Sequence, residues 1–275
     1  MLNKATYTNH LNQTVEFGSD GLFLNDSELY DYEWLYDSDY DEITNFRKGV
    51  TKKNVTILIA TAPEKGLAIR NRLYEVFDQD ILSEEPGTLE VNGYKLSCYF
   101  NASKKSNYYL TNGYMIIEGS IISDSSNWIT EKEFMFLKSE AVAEAADDKT
   151  KNHPYTYQYK YVTYTQSNSV VNPFFIGCDF RLRIYGKVVN PSVSVGEHTY
   201  QVNVSVNEGE RLEIDSNKRT ITLIKADGTT ENHFWDSNKD SYIFEKIPTG
   251  ESSIGYDGTF GFDLILLGMR GEPEW

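Results

Sequence analysis

The stretch from Asp179 to Ile224 leaves this chain the fewest ways to fold. Tyr200, Val202, Val204 and Val206 alternate with Gln201, Asn203 and Ser205, the two-residue period of a strand with one buried face. Leu182 and Ile184 alternate in the same way with Arg181, Arg183 and Tyr185 before Gly186 and Asn190-Pro191 break the run. Asn207-Glu208-Gly209 reads as a turn, then Leu212 and Ile214 as a strand, Asp215-Ser216-Asn217-Lys218 as a second turn, and Thr220 to Ile224 as a third strand. Three consecutive strands on two short turns predict an antiparallel meander, the usual material of a β-sandwich.

The rest of the chain extends this β-rich pattern and adds one helix. Residues 13–24 read as two short strands around Gly18-Ser19-Asp20-Gly21, and Asn54 to Ala60 as a strand with Val55, Ile57 and Ile59 on one face. A helix is predicted over residues 63–82. Pro63 suits a first turn, and Leu67, Ile69, Leu73, Val76, Phe77 and Ile81 supply a mostly three- and four-residue apolar spacing. At 1.5 Å per residue it would be roughly 28 Å long, enough to cover one face of a small sheet. Thr88–Val91 and Tyr94–Phe100 flank Asn92-Gly93, the strongest short hairpin signal. Tyr114 to Ile122 is a further strand, and Trp128 closes the region. Residues 138–152 hold no large apolar side chain except Val142 and read as a linker or exposed helical loop. Beyond it, Tyr155, Tyr157, Tyr159 and Tyr161, with Val162 and Tyr164, suggest an aromatic strand. Asn232–Trp235 and Tyr242–Phe244 precede the Pro248-Thr249-Gly250 turn, and a last strand runs from Thr259 to Leu267 with Phe260, Phe262, Leu264 and Leu266 on one side. The expected fold class is therefore mainly β, with an α+β first domain over 1–137 and an all-β sandwich over 138–275.

Composition narrows the function. With 41 acidic against 26 basic residues the net charge is −15, which argues against sequence-independent nucleic-acid binding and against anionic membrane surfaces. No signal peptide and no apolar run of membrane-spanning length are expected. Cys98 and Cys178 lie far apart, as two free thiols of a cytosolic product would, and His10, His153, His198 and His233 are scattered. No zinc spacing, G-x-S-x-G, Walker sequence or H-E-x-x-H is present, and Cys98 in mid-strand reads as a buried structural thiol.

The acidic, aromatic segment Asn25 to Glu42 is the other conspicuous stretch. Tyr30, Tyr32, Trp34 and Tyr36 alternate with Asp31, Glu33, Leu35 and Asp37, so one extended strand with an aromatic and an acidic face is expected. Asp37-Ser38-Asp39-Tyr40-Asp41 places oxygens at the first, third and fifth positions of a calcium loop. Position six is Glu42 in place of glycine, and position twelve is Lys48 in place of the bidentate glutamate, so a solvated acidic edge is the expectation. Carboxylate pairs for glycoside hydrolysis cannot be placed in a cleft from sequence. The tyrosine ladders 30–36 and 155–161 could stack sugars, but cross-strand or interface packing is the preferred reading.

Several short motifs, taken in order, carry a resemblance. They are Phe46-Arg47, Leu73-Tyr74-Glu75-Val76-Phe77-Asp78-Gln79-Asp80, Pro86-Gly87 and Trp128. In the second half come Phe180-Arg181-Leu182-Arg183-Ile184-Tyr185-Gly186, Val189-Asn190-Pro191 and Leu212-Glu213-Ile214-Asp215-Ser216. Phe244 through Gly250 and Glu272-Pro273-Glu274-Trp275 close the series. Together they resemble distal tail proteins (Dit), the hub proteins of long, flexible-tailed phages of Gram-positive bacteria. The resemblance implies an N-terminal ring-forming domain and an outward C-terminal galectin-like β-sandwich. It implies a structural virion protein at the tail tip, synthesised in the host cytoplasm, with no catalytic residues, no metal site and no cofactor, and it assigns no binding residue. Its implied partners are five further copies in a homo-hexameric ring, the tail tube protein, the tail-associated hub or lysin protein, and receptor-binding or baseplate proteins. DNA would only pass through the ring, and the acidic segment 25–42 could line that channel, where like charge eases its passage. A carbohydrate-binding module for bacterial surface glycans, suggested by the galectin-like resemblance and the aromatic content, is the alternative reading, although galectin-like shape does not itself transfer lectin activity. A cell-wall hydrolase ranks last.

Overall fold

In the computed structural model the described residues are 4–107, 113–138 and 168–274. The expected aromatic strand over Tyr155–Tyr164 and all but Lys138 of the expected linker lie outside them. The chain divides into two units, one of residues 1–130 with 269–275 and one of residues 131–268. It therefore crosses between them twice, and its last seven residues return to the first unit.

The first unit is built on strands β1 (Ala5–Thr8), β2 (Thr14–Phe17), β3 (Leu22–Ser27), β4 (Leu35–Asp39), β5 (Glu42–Arg47) and β6 (Thr51–Ile59). Helix α1 (Pro63–Ser83) follows, then β7 (Gly87–Val91), β8 (Tyr94–Asn107), β9 (Met115–Ser123) and the start of β10 (Trp128–Phe136). The antiparallel order β2-β1-β7-β8 continues through β8 into β8-β9-β6-β3. One fourteen-residue strand serves both runs, because β8 pairs with β7 over Tyr94–Cys98 and with β9 from Tyr99 onward. Register shifts at Phe100/Ala102 and Lys105/Asn107 let it bend between the two. The Asn92-Gly93 turn has φ of 51° and 80°, the left-handed pair of a tight hairpin.

Helix α1 begins with proline in its first turn and ends at Glu84, whose left-handed φ of 55° lets the Glu84 and Glu85 amides return to the Ile81 and Asp80 carbonyls. It buries Leu73, Val76, Phe77 and Asp80. Phe77 stacks on Phe100 at 4.0 Å, and Tyr7 meets both rings edge-on. Leu67 and Ile81, expected on the buried face, are exposed. The buried face runs the length of the helix through Gly66, Leu73, Val76, Phe77 and Asp80, and at 100° per residue Leu67 and Ile81 lie to one side of it.

The second unit holds β11 (Ser169–Asn172), β12 (Asp179–Tyr185), β13 (Val188–Val189), β14 (Ser192–Val195), β15 (His198–Gln201), β16 (Ser205–Val206), β17 (Arg211–Asp215) and β18 (Thr220–Ile224). β19 (Thr230–Asn232), β20 (Gly250–Gly255) and most of β21 (Gly261–Arg270) complete it. One sheet runs β19-β18-β17-β12-β21 and another β11-β20-β14-β15. Their facing side chains, Leu182, Ile184, Leu212, Ile214, Phe262 and Leu264 from the first and Val170, Val193, Tyr200 and Ile254 from the second, share one core. That is the expected sandwich.

Two expectations inside it are corrected. The strand 200–206 is interrupted: the Asn203 amide donates to the Asp236 carbonyl, and Val202 bridges Ser237. These long-range bonds replace the ladder that alternation alone would predict. The neighbour of β17 is therefore β12, paired over Arg181–Tyr185, while β16 pairs with β13. Finally, residues 234–236 form a 3₁₀ turn and Tyr242–Phe244 lies outside any strand.

Candidate functional site: an exposed aromatic hairpin

Chemistry-bearing residues do not converge. Among the described residues no group of three or more His, Cys, Asp and Glu side chains is placed to hold a metal ion. Both cysteines are free and buried. Burial pushes the Cys98 thiol up to about 12 and the Cys178 thiol to about 11, the opposite of nucleophile activation. Residues 37–41, the failed calcium loop, form a hairpin tip in which Tyr40 carries a φ of 49°.

The buried polar constellation around Asp80 is structural. Asp80 is fully buried; its Oδ2 accepts the Tyr7 hydroxyl and its Oδ1 accepts the His10 amide at 3.0 Å, with His10 Nδ1 at 2.6 Å. Desolvation, followed by the Asp80 hydrogen bond, raises the Tyr7 phenol far above its ordinary value, so it stays a donor. The site ties β1, the end of α1 and Gly87 together. A Cβ on Gly87 would stand 2.3 Å from the Tyr7 hydroxyl. A cleft of about 480 Å³ beside α1 has an apolar floor of Leu73, Phe77, Phe100 and Ile117 with Arg70, Asp78 and Lys105 among its other lining residues, and no catalytic pairing there is evident from these residue types.

The acidic, aromatic segment differs from expectation in a way that bears on function. Leu29 is fully buried and Tyr30 packs against the core, so the chain turns inward before any strand begins. The extended part is only β4, and it doubles back through a two-residue turn onto β5. These two strands pair with each other and with no other strand among the described residues. Every residue of both is exposed. Tyr36 lies directly opposite Phe46, and Tyr40 is 99 % exposed. Ile43, Phe46 and Val50 add large apolar surface. At the tip Asp39 stands opposite Glu42, a like-charge pair that weakens a hairpin unless something positive approaches it.

The hairpin's base is tied to the first unit. Glu28 accepts the Asn54 amide at 2.7 Å. The buried Lys53 ammonium donates to the carbonyls of Glu28 and Asp31. Lys48 donates to Asn127 Oδ1 at 2.7 Å with its Nζ 4.7 Å above the Trp34 ring. Burial lowers both lysines' pKa, opposed in Lys53 by Asp31, Glu28 and Glu272. An isolated two-stranded hairpin in water is marginal at best. One that exposes tyrosine, phenylalanine and isoleucine on an anchored stem has the features of a surface awaiting a partner.

No protein-family model and no curated protein matches the sequence. Solved structures do match its fold. The chain is similar to the SPP1 Dit (gp 19.1) protein, described as a paradigm of hub adsorption apparatus in Gram-positive-infecting phages, with a TM-score of 0.58 and 7 % identity over 97 % of this chain and 99 % of that one. It is similar to a chain of the phage P2 baseplate in its activated conformation with Ca, at a TM-score of 0.61 and 14 % identity over 98 % and 99 % of the two chains. The strontium form of the phage p2 baseplate gives 0.60 and 15 %. This chain thus has the fold of a distal tail protein along its whole length.

Proposed function

We propose that this protein is a structural hub subunit of a phage tail tip, which assembles into a homo-hexameric ring between the tail tube and the baseplate. The observation that carries the proposal is the end-to-end fold match, in which both units of this chain are covered together with 99 % of each matched chain. A fold alone hosts many functions. Here it is supported by buried thiols, by an Asp80 network spent on structure, and by an anchored hairpin with unpaired edges and exposed aromatics.

On this reading the role is assembly and not catalysis. The hairpin β4–β5 of one copy packs on the next, as a head-to-tail contact that closes when repeated by rotation. Its acidic tip calls for a basic patch on the receiving surface. The other partners are the tube protein, a tail-associated hub or lysin protein, and receptor-binding or baseplate proteins, and the mature location is the virion.

Light scattering across a concentration series tests the proposal. The intact protein should reach a hexamer's mass. The triple variant Tyr36→Ser, Ile43→Ser, Phe46→Ser should remain monomeric with an unchanged circular dichroism spectrum, because none of the three residues contributes to the core. A protein that stays monomeric throughout, and that also fails to bind the tube and hub proteins of its own virion, would sink the proposal.

A further inference from the structure

The acidic tip of the β4–β5 hairpin has a counterpart in the first unit itself. The tip is Asp39-Tyr40-Asp41-Glu42, in which Tyr40 and Asp41 make the two-residue turn between the strands. It presents one aromatic ring among three carboxylates. Tyr40 is 99 % exposed, so no described residue of its own chain covers it.

The cleft of about 480 Å³ beside α1 has the complementary arrangement. Leu73, Phe77, Phe100 and Ile117 make its apolar floor, and β8 beyond the Phe100/Ala102 register shift supplies one wall. Tyr74 and Ile81 carry the apolar lining out to the surface, where both are exposed. Arg70 stands on the helix side and Lys105 on the β8 side. Both cations are bonded to neutral acceptors: Arg70 donates to Asn71 Oδ1 at 2.8 Å, and Lys105 to the Ser103 hydroxyl at 2.8 Å and to its carbonyl at 3.3 Å. Neither pairs with a carboxylate among the described residues, whereas Lys65, Lys104 and Arg270 of the same unit each do. Asp78 also lines the cleft, and its carboxylate bonds no side chain among the described residues. Two cations against one anion leave this lining positive in a chain whose net charge is −15.

We propose that the hairpin turn of one copy enters this cleft on a second copy, with Tyr40 as the anchor. The inference rests on the ring reading and names the receiving surface that reading requires. The Tyr40 ring displaces water from the apolar floor, as aromatic anchors do at the centre of protein contacts. Its hydroxyl donates to Asp78, a charged acceptor and therefore a strong one. Asp39, Asp41 and Glu42 meet Arg70 and Lys105, which also relieves the like-charge pair of Asp39 and Glu42 across the hairpin. The cleft has the volume of a ligand pocket, so it admits a projecting turn and not a whole sheet face. Each copy carries one tip and one cleft, which makes the contact head-to-tail.

Crosslinking tests this on the full-length protein, alone and with the tube and hub proteins of its virion. Ser38→Cys with Tyr74→Cys puts one thiol beside the tip and one on the cleft rim, and both native thiols are buried. A short bis-maleimide should then yield a ladder of covalent oligomers, whereas either substitution alone joins at most two copies. Tyr40→Asn keeps a residue that tolerates the left-handed turn and removes the ring. It should weaken self-association about tenfold or more by light scattering, with the circular dichroism spectrum unchanged. Arg70→Glu with Lys105→Glu should do the same, and adding Asp39→Lys with Asp41→Lys should restore association, which a purely structural role for the two cations would not allow. A ring that forms without the ladder, or forms equally well with Tyr40→Asn, overturns this contact and leaves the ring reading standing. A ladder from Ser38→Cys with Tyr242→Cys in place of Tyr74→Cys would put the tip in the second unit's cleft, beside Arg219 and Lys239, and overturns it as well. A protein that stays monomeric under all these conditions sinks the ring reading and this contact together.

Discussion

Replacing Tyr7 by phenylalanine isolates one hydrogen bond in the first unit. The substitution removes a single oxygen and leaves the ring against Phe77 and Phe100, at 5.2 and 5.0 Å, so no cavity opens and the volume term is small. What is lost is the donor to Asp80 Oδ2 on a carboxylate with no solvent exposure. Oδ1 keeps the His10 contacts, while Oδ2 has no other hydrogen bond among the described residues. Depriving a buried carboxyl oxygen of its donor costs about 2–3 kcal/mol. For a unit of roughly 140 residues that is a fall in Tm of about 7–10 °C. The assay is urea and thermal unfolding by fluorescence in a Trp235→Phe background, where the remaining tryptophans all belong to the first unit. Tyr200→Phe is the control: its hydroxyl donates to the neutral Glu245 carbonyl at 2.8 Å and should cost about 1 kcal/mol. A Tyr7→Phe loss below about 0.5 kcal/mol, or no larger than the control's, would refute the account of the Tyr7–Asp80 hydrogen bond as a buried tie between β1 and the end of α1.

Two further outcomes follow from the same site. Gly87→Ala should destabilise the first unit by about 3 kcal/mol or more, because the new Cβ meets Tyr7 and Asp80 within 2.6 Å and neither can move; urea melts measure it, and combining it with Tyr7→Phe should cost less than the sum of the two. Alkaline pH should also unfold this unit. Burial raises the Cys98 thiol from 9.0 to about 12, and Tyr7 is raised as well, so the folded chain keeps protons that the unfolded chain releases. Stability is complete below about pH 9 and falls above it by about 1.4 kcal/mol per pH unit, then about twice that once tyrosine titrates in the unfolded chain beyond pH 10. Cys98→Ala should flatten the first part of that fall, and a flat profile from pH 9 to 11 in the intact protein would contradict the assignment.

Much of the architecture was legible in local signals. The Asn92-Gly93 hairpin, the helix opened by Pro63, the strand of Val55, Ile57 and Ile59, and the β17–β18 hairpin all rest on contacts between near neighbours, which a period or a turn pair encodes. β10 beyond Trp128 escaped because Ile129–Glu133 alternates only weakly. In the candidate site, the run of acidic and aromatic residues over 25–42 was visible, and its fold was not. Alternation at Tyr30, Tyr32, Trp34 and Tyr36 looks the same whether a strand continues or, as here, Leu29 is drawn into the core and the rest turns back on itself.

What the sequence by itself determined is the class of structure: strand periods, turn dipeptides and one helix, together with an acidic balance of −15 that disfavours nucleic acid and anionic membranes. Only the tertiary structure decided which strands became neighbours, that β12 lies beside β17, and that β4 and β5 stand apart. It also brought Arg219, Phe234, Asp240 and Tyr242 into one cleft. Pairing and exposure depend on which backbone groups find distant partners, as the Asn203 amide finds the Asp236 carbonyl. That competition is settled by the whole chain's packing and leaves no mark on the period of any one segment.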